Sequence, residues 1–276
     1  FRAQEPCDHV ATLSPVTTVG EMGIVTRQVR RATVATLEAS NVLVIKRTAF
    51  ESVLSADKAA EARIYRNFIE GASPRGIGVG YPEKVNLCFD ANTMQIAMLW
   101  HGAFMDGAKH WNGRGQGFQP PLGHYLINLK RTQAIAVLPD AKAPWPTMKL
   151  GNNDDGRATG LRFRGYKLVE GRRPIFKYTA GETVIEDYVI PQAGALPSFT
   201  RQLTLTGSGR YYYLAAADGL IEKRGNSWKV GKTLKITIDS PDEPILREGA
   251  GGKELLVPVT VRGKAIIRAK YEWDLN

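Results

Sequence analysis

From residue 161 to residue 275 the chain is a succession of short apolar or alternating segments separated by glycine, proline and acidic turns, and none of it keeps helical spacing. LRFRGYKLVEG, RRPIFKYTAG, ETVIEDYVIP, SFTRQLTLTG, RYYYLAAAD, GLIEKRG, SWKVGKTLKITIDS, KELLVPVTVRG and KAIIRAKYEWDL follow one another at intervals of roughly 8 to 14 residues. Successive side chains of a strand point to opposite faces, and the alternation of Phe163, Tyr166, Leu168, Ile175, Phe176 and Tyr178 marks such faces. Glu170-Gly171 reads as a hairpin turn. Strands at this cadence, with no crossover helices between them, predict a mainly β chain built as antiparallel β-sandwich-like sheets.

Upstream, IGVGY, VNLCF and QIAMLW are three further strands, separated by Pro82-Glu83 and by Asp90-Ala91-Asn92, and predict a meander. HYLINL and TQAIAVL add two more. Between QIAMLW and HYLINL, residues 106–123 contain Gly107, Gly113, Gly115, Gly117 and Pro120-Pro121, which deny both helix and ladder and leave a loop. PDAKAPWPTMKLGNNDDGRATG, at 139–160, predicts a linker or long loop between β layers.

The 276 residues are 43% hydrophobic and 23% charged, enough for a sizeable core and unlike a disordered chain. The formal charge of +10 would suit an acidic partner or nucleic acid, but the basic residues are scattered in ones and twos, as in RFRGYK and GRRP, so no nucleic-acid stripe is expected. QIAMLWHGAFM, the longest apolar run, is broken by His101 and too short to span a bilayer. No leader precedes Phe1 and the chain does not open on Met, so the expectation is a processed chain or a fragment. Cys7 and Cys88 lack metal spacing; a disulfide in an exporting compartment and a buried Cys88 thiol are both open.

Residues 10–54 predict strands and one helix. Thr48 with Glu51 makes a capping box, and Phe50, Val53 and Leu54 keep helical spacing to about Ala60, after which RIYRNFI alternates as a strand. The expected division is therefore a segment at 1–60 and a β-rich module at 61–276, with a boundary near Asp57 to Glu61.

Two constellations carry chemistry. Trp100, Trp111, Phe118 and Trp145, with His110, Asn112, Arg114 and Gln116, form a ring platform with polar tips, which suits a small flat ligand or a sugar. The plainer alternative puts Trp100 in the core with Trp111 clamping the glycine loop. His101, Asp106, His110 and His124 with Asp90 are the one set that could bind a metal or do acid–base work, yet they show no tight ligand spacing, so no metal is expected. There is no G-x-S-x-G, and GIGVG lacks the spacing and the following helix of a dinucleotide fingerprint. Tyr211 to Tyr213 and Trp273 are ordinary strand aromatics.

IYRNFIEGASPRGIGVGYPEKVNLCFDA, then W-x-G-x-F-x-D and W-N-G-R-G-x-G-F-Q-P-P-L-G, resembles an uncharacterised exported module of Planctomycetes, and FRGYKLVEGRRPIFKYTAGETVIED at 163–187 resembles its second recurring motif. In that family the module sits beside c-type cytochrome domains. The resemblance, over about three quarters of the chain, implies a periplasmic or secreted, non-catalytic accessory of a haem-containing redox protein, with no catalytic residue assigned. No CxxCH stands in the sequence, so the expectation is no cofactor in this chain and haem in a partner domain. A second resemblance covers residues 10–58: G-E-M-G, R-x-A-T-V, NVLVIKR and F-x-x-x-L are similar to the C-terminal half of a cyclic-nucleotide-binding domain. It implies the alternative of a cytoplasmic cyclic-nucleotide-sensing fragment, with Glu21 on the ribose hydroxyl, Arg30 on the cyclic phosphate, and Gly20 and Ala32 lining the pocket.

Overall fold

The computed structural model describes residues 35–40, 44, 61–107, 117–148 and 157–275. The chain divides into two units, Phe1–Asp57 and Lys58–Asn276. Apart from 35–40 and 44, the strands and helix expected over 10–60, with Gly20, Glu21, Arg30 and Ala32, lie outside the described residues.

Of the described residues 59% are in strands and 2% are helical, far below the roughly one third of residues in helix in an average globular protein. Five strands form one antiparallel meander: β1 (Arg63–Arg66), β2 (Gly76–Gly80), β3 (Val85–Asp90), β4 (Gln95–His101) and β5 (His124–Asn128), in that order. The larger antiparallel sheet contains β7 (Leu161–Val169), β8 (Arg173–Ala180), β9 (Thr183–Gln192), β10 (Ser198–Asp218), β11 (Ile221–Arg224), β12 (Ser227–Val230), β13 (Leu234–Asp239) and β15 (Gly252–Trp273), in the order β11-β12-β13-β15-β10-β9-β8-β7. Two short strands attach to it: β6 (Ile135–Ala136) pairs with β10, and β14 (Ile245–Gly249) with β15.

The sheets face each other across one core. Ile77, Val79, Leu87, Phe89, Ile96 and Leu99 of the meander meet Phe176, Tyr178, Val189, Leu203 and Ile267 of the large sheet. Phe89 stacks on Phe176 with centroids 3.9 Å apart. The sandwich-like arrangement follows from the alternation seen in the sequence, since β8 and β9 bury every second residue.

The meander departs from that rule, because β2, β3 and β4 are buried on both faces. In GIGVG, Ile77 and Val79 enter the shared core, and the alternating glycines leave the other face of β2 without side chains. Ile69, Phe104 and Met105 lie on that bare strip; a Cβ at Gly80 would stand 2.7 Å from the Phe104 ring, and one at Gly78 would be 3.2 Å from Ile69. A second apolar cluster, with Cys88, Met98 and Trp100, fills the space. Cys88 is a free, fully buried thiol there, and burial pushes its pKa far above the usual range, so it packs as an apolar residue. Cys7 lies outside the described residues.

Several expected boundaries move. RIYRNFI is a strand only to Arg66, because the Asn67 side chain accepts the Phe68 N–H and turns the chain. TQAIAVL contributes only Ile135–Ala136, and β14 had no signal strong enough to predict it. SFTRQLTLTG and RYYYLAAAD, expected as two strands, are one of 21 residues, and KELLVPVTVRG and KAIIRAKYEWDL are one of 22. The glycines between them predict turns. Gly207 (φ 146°), Gly209 (φ 133°) and Gly263 (φ 82°) instead bend two continuous strands, with Gly207 directly opposite Gly263. SWKVGKTLKITIDS does turn, at Gly231 (φ 58°), and becomes β12 and β13.

The described part of 139–160 is a fixed loop. Asp140 accepts the N–H groups of Lys142 and Ala143, Arg247 donates to the carbonyls of Ala141 and Ala143, and Trp145 is buried against Leu138, Tyr212 and Leu256.

Candidate functional site

The structure assigns Trp100 to packing. Its face of β4 points away from the shared core into the second cluster; it is fully buried, stacks parallel to Phe104 at 6.0 Å, and donates Nε1–H to the Ala103 carbonyl at 2.9 Å. No face is left for a ligand. Trp145 is also sealed, with its Nε1–H on the Gln133 carbonyl. His110, Trp111, Asn112, Arg114 and Gln116 lie outside the described residues. The chain is described again from Gly117, where Phe118 packs edge-on against Phe68 at 5.4 Å and Gln119 bonds through its backbone to Phe68 and Glu70.

The proposed metal or acid–base set is split across the meander. His101 and His124 are cross-strand partners, ring centroids 6.1 Å apart. His101 is buried against Trp273 at 3.9 Å. Its Nε2 lies 2.9 Å from the Pro197 carbonyl, which can only accept, so Nε2 carries the proton. Burial lowers its pKa and keeps the ring neutral. Asp90 sits at the other end of β3, where its carboxylate accepts the Ser73 hydroxyl at 2.6 Å and the N–H groups of Ser73 and Asn92, with Arg131 at 3.7 Å. These bonds fix two turns. Among the described residues no group of three His, Cys, Asp or Glu side chains is placed to hold a metal.

A buried polar cluster with no warning in the sequence joins the sheets. Arg201 and Asp187, 1% and 0% exposed, form an ion pair at 2.6 Å. The guanidinium also donates to the Gln95 side chain and the Met94 carbonyl, while Gln95 Nε2 donates to the Leu214 carbonyl and Tyr178 to Asp187. Every charge here is consumed internally, so the cluster holds the sheets in register.

The open chemistry lies in a groove of about 540 Å³ beside β1, lined by Arg66, Asn67, Phe68, Arg75, Ile77 and Phe163. The Ser73–Asp90 bonds set the turn that presents Arg75, and the Arg75 carbonyl accepts the Ala91 N–H, tying that wall to the β3–β4 turn. Arg66 and Arg75 are exposed, Phe68 is 45% exposed, and no acidic side chain among the described residues makes an ion pair with either arginine. Guanidinium forks beside exposed rings recognise carboxylates and flat groups. The sequence carried a weak signal, R-N-F at 66–68 and P-R at 74–75, hidden by the strand expected through Ile69. Of the rings predicted for the platform, Phe118, at the described end of the glycine loop, packs on Phe68 of this groove.

Residues 87–187, from β3 into β9, match the model of a domain of unknown function, DUF6797. The match takes in Asp90, Phe163 and Asp187, and leaves outside it Arg66, Arg75 and Arg201. No curated protein and no solved structure matches the chain.

Proposed function

We propose that this chain is a non-catalytic binding module that docks an acidic segment of a partner protein in the groove of Arg66, Arg75, Phe68 and Phe163. One observation carries the reading: two exposed guanidinium groups, unpaired with acids among the described residues, flank the exposed Phe68 ring and the half-buried Phe163 ring in an open groove. The buried ionisable groups favour binding over catalysis, since Asp90, His101, Asp187 and Arg201 are each engaged in holding strands or turns. A net charge of +10 would draw an acidic partner in and orient it. On the resemblance of residues 63–187, the partner is a c-type cytochrome domain that itself carries the haem, and the setting is the periplasm or the exterior.

Calorimetric titration of the chain with that cytochrome domain, at rising salt, tests the reading. Binding should weaken steadily with salt, and Arg66→Glu with Arg75→Glu should cost at least about tenfold in affinity, which is about 1.4 kcal/mol, with the circular dichroism unchanged. Undiminished binding by that double variant would refute the groove. A thermal shift with cyclic AMP that Arg30→Ala removes would instead favour the cyclic-nucleotide reading.

A further inference from the structure

A second cavity lies at the opposite side of the meander, where the chain leaving β5 parts from the large sheet. It measures about 220 Å³, ample for a small organic molecule. One wall is the segment Leu126–Lys130 with Thr132, the other is the β12–β13 turn from Val230 to Leu234, and the floor is the end of β10, Leu214–Asp218, with Gln95 beneath it.

The floor is built to stay open and still. β10 carries a bulge between Leu214 and Ala216, and bulges displace a strand and re-aim its side chains. The residues there are Ala215, Ala216 and Ala217, so this stretch of the floor carries only small side chains. The backbone is tied on every side: Leu214 N–H donates to the Ala134 carbonyl, the Leu214 carbonyl accepts Gln95 Nε2, and the Ala215 carbonyl accepts the Tyr271 hydroxyl. The lining is at least as polar as it is apolar, and a preformed hollow with placed polar groups is the usual form of a small-ligand site.

Its polar groups are unequal in charge. Lys130 and Lys232 bring two ammonium groups and Asp218 one carboxylate. Asp218 is held in place by accepting the Leu220 N–H with Oδ1, and Lys130 by donating to the Gly251 carbonyl. A ligand matching this set carries a carboxylate for the lysines, a hydroxyl or amino donor for Asp218 and a short hydrocarbon part for the alanine floor. We infer that the cleft binds a small hydroxy- or amino-carboxylate, as a site separate from the protein-docking groove.

The probes are L-lactate and L-serine, with butyrate as the analogue lacking the donor, each titrated into the ¹⁵N-labelled full chain to high millimolar concentration and followed by amide shifts. The expected result is saturable perturbation confined to residues 126–132, 214–218 and 230–234, with lactate or serine favoured over butyrate. Lys130→Gln with Lys232→Gln, both solvent-facing changes, should weaken binding about tenfold, Asp218→Asn should abolish the preference over butyrate, and Arg66→Glu with Arg75→Glu should change nothing. Ala216→Leu should fill the hollow and end binding. Failure of lactate and serine both to saturate, saturation centred on other residues, or binding indifferent to the lysine double variant would each overturn the inference.

Discussion

The two sheets share one core but treat their far faces oppositely. The meander's far face is dry: Ile69, Phe104 and Met105 lie on the glycine strip of β2, and Cys88, Met98 and Trp100 fill in behind. Among the described residues, the large sheet's far face is covered only where Leu138 and Trp145 lie on Tyr212 and Leu256; elsewhere it is wet and carries cross-strand ion pairs, with Lys167 and Lys177 on Glu186, Lys235 and Lys270 on Glu272, and Arg268 on Asp239. Burial decides what a substitution costs on each. On the dry face the currency is packing volume, and on the wet face it is charge already screened by water.

The largest effect is expected at the fully buried ion pair of the cluster that joins the sheets. Asp187→Ala would leave Arg201 charged, buried and uncompensated, and urea unfolding should show a loss of about 3–5 kcal/mol. Replacing both residues with apolar ones of similar size should recover most of it. If Asp187→Ala cost no more than a surface substitution, the cluster would not be joining the sheets.

The dry face comes next. Gly80→Val should push Phe104 off β2 and cost about 1–3 kcal/mol, whereas Gly219→Ala, with nothing within 4 Å of the added carbon, should stay within about 0.5 kcal/mol. Equal effects would mean that Phe104 is not seated on the strand. On the same face, iodoacetamide should leave Cys88 unlabelled in the folded protein and label it once denaturant opens the cluster.

Acid acts on the two sheets at different pH. Burial depresses the His101 pKa below its ordinary value near 6.5. The unfolded chain therefore takes up that proton first, and stability should fall as pH drops from about 6.5 toward the depressed folded value, then level off for this group. Glu186 behaves differently: hydrogen bonds from Lys167, then Lys177, hold its carboxyl low, so its contribution is complete above about 4.5 and is lost only below that. Urea midpoints from pH 7 to pH 4 should lose their first decrement in His101→Gln. The smallest effect is expected for Glu186→Gln near neutral pH, under about 1 kcal/mol and shrinking with salt, as for exposed ion pairs.

Most of the strands could be read from the sequence because a strand with one wet face announces itself by alternation; β7, β8 and β9 stand close to where that pattern puts them. The meander was legible for another reason, its apolar runs being cut by Pro82-Glu83 and Asp90-Ala91-Asn92. Glycine misled, because Gly207, Gly209 and Gly263 bend strands while Gly231 ends one, and the residue type is the same in both. Of the ring platform, Trp100 and Trp145 proved to be buried, and nothing local distinguishes a buried tryptophan from an exposed one. Arg201 was invisible for a like reason: a lone arginine in a strand reads as a wet-face residue until Asp187, from the neighbouring strand, is seen beside it. The groove joins residues 66–77 to Phe163, and such a juxtaposition exists only after folding.

The pairing of β10 with β15 also governs the order in which the molecule can be made. β15 has β10, β13 and β14 as neighbours, and it is the last of the described strands to leave the ribosome. Until then β10 has β9 along one edge and a long open edge on the other, the condition in which a nascent strand pairs with the wrong chain. The loop closed by Asp218 and Lys253 is about half that closed by Phe199 and Tyr271, so the two strands should zip from the β14 end toward the residues that bury Phe199. A nascent chain stalled before residue 252 would therefore have an unfinished large sheet and a shared core still lacking Val257, Val259 and Ile267, and would depend on chaperones for as long as it stayed so.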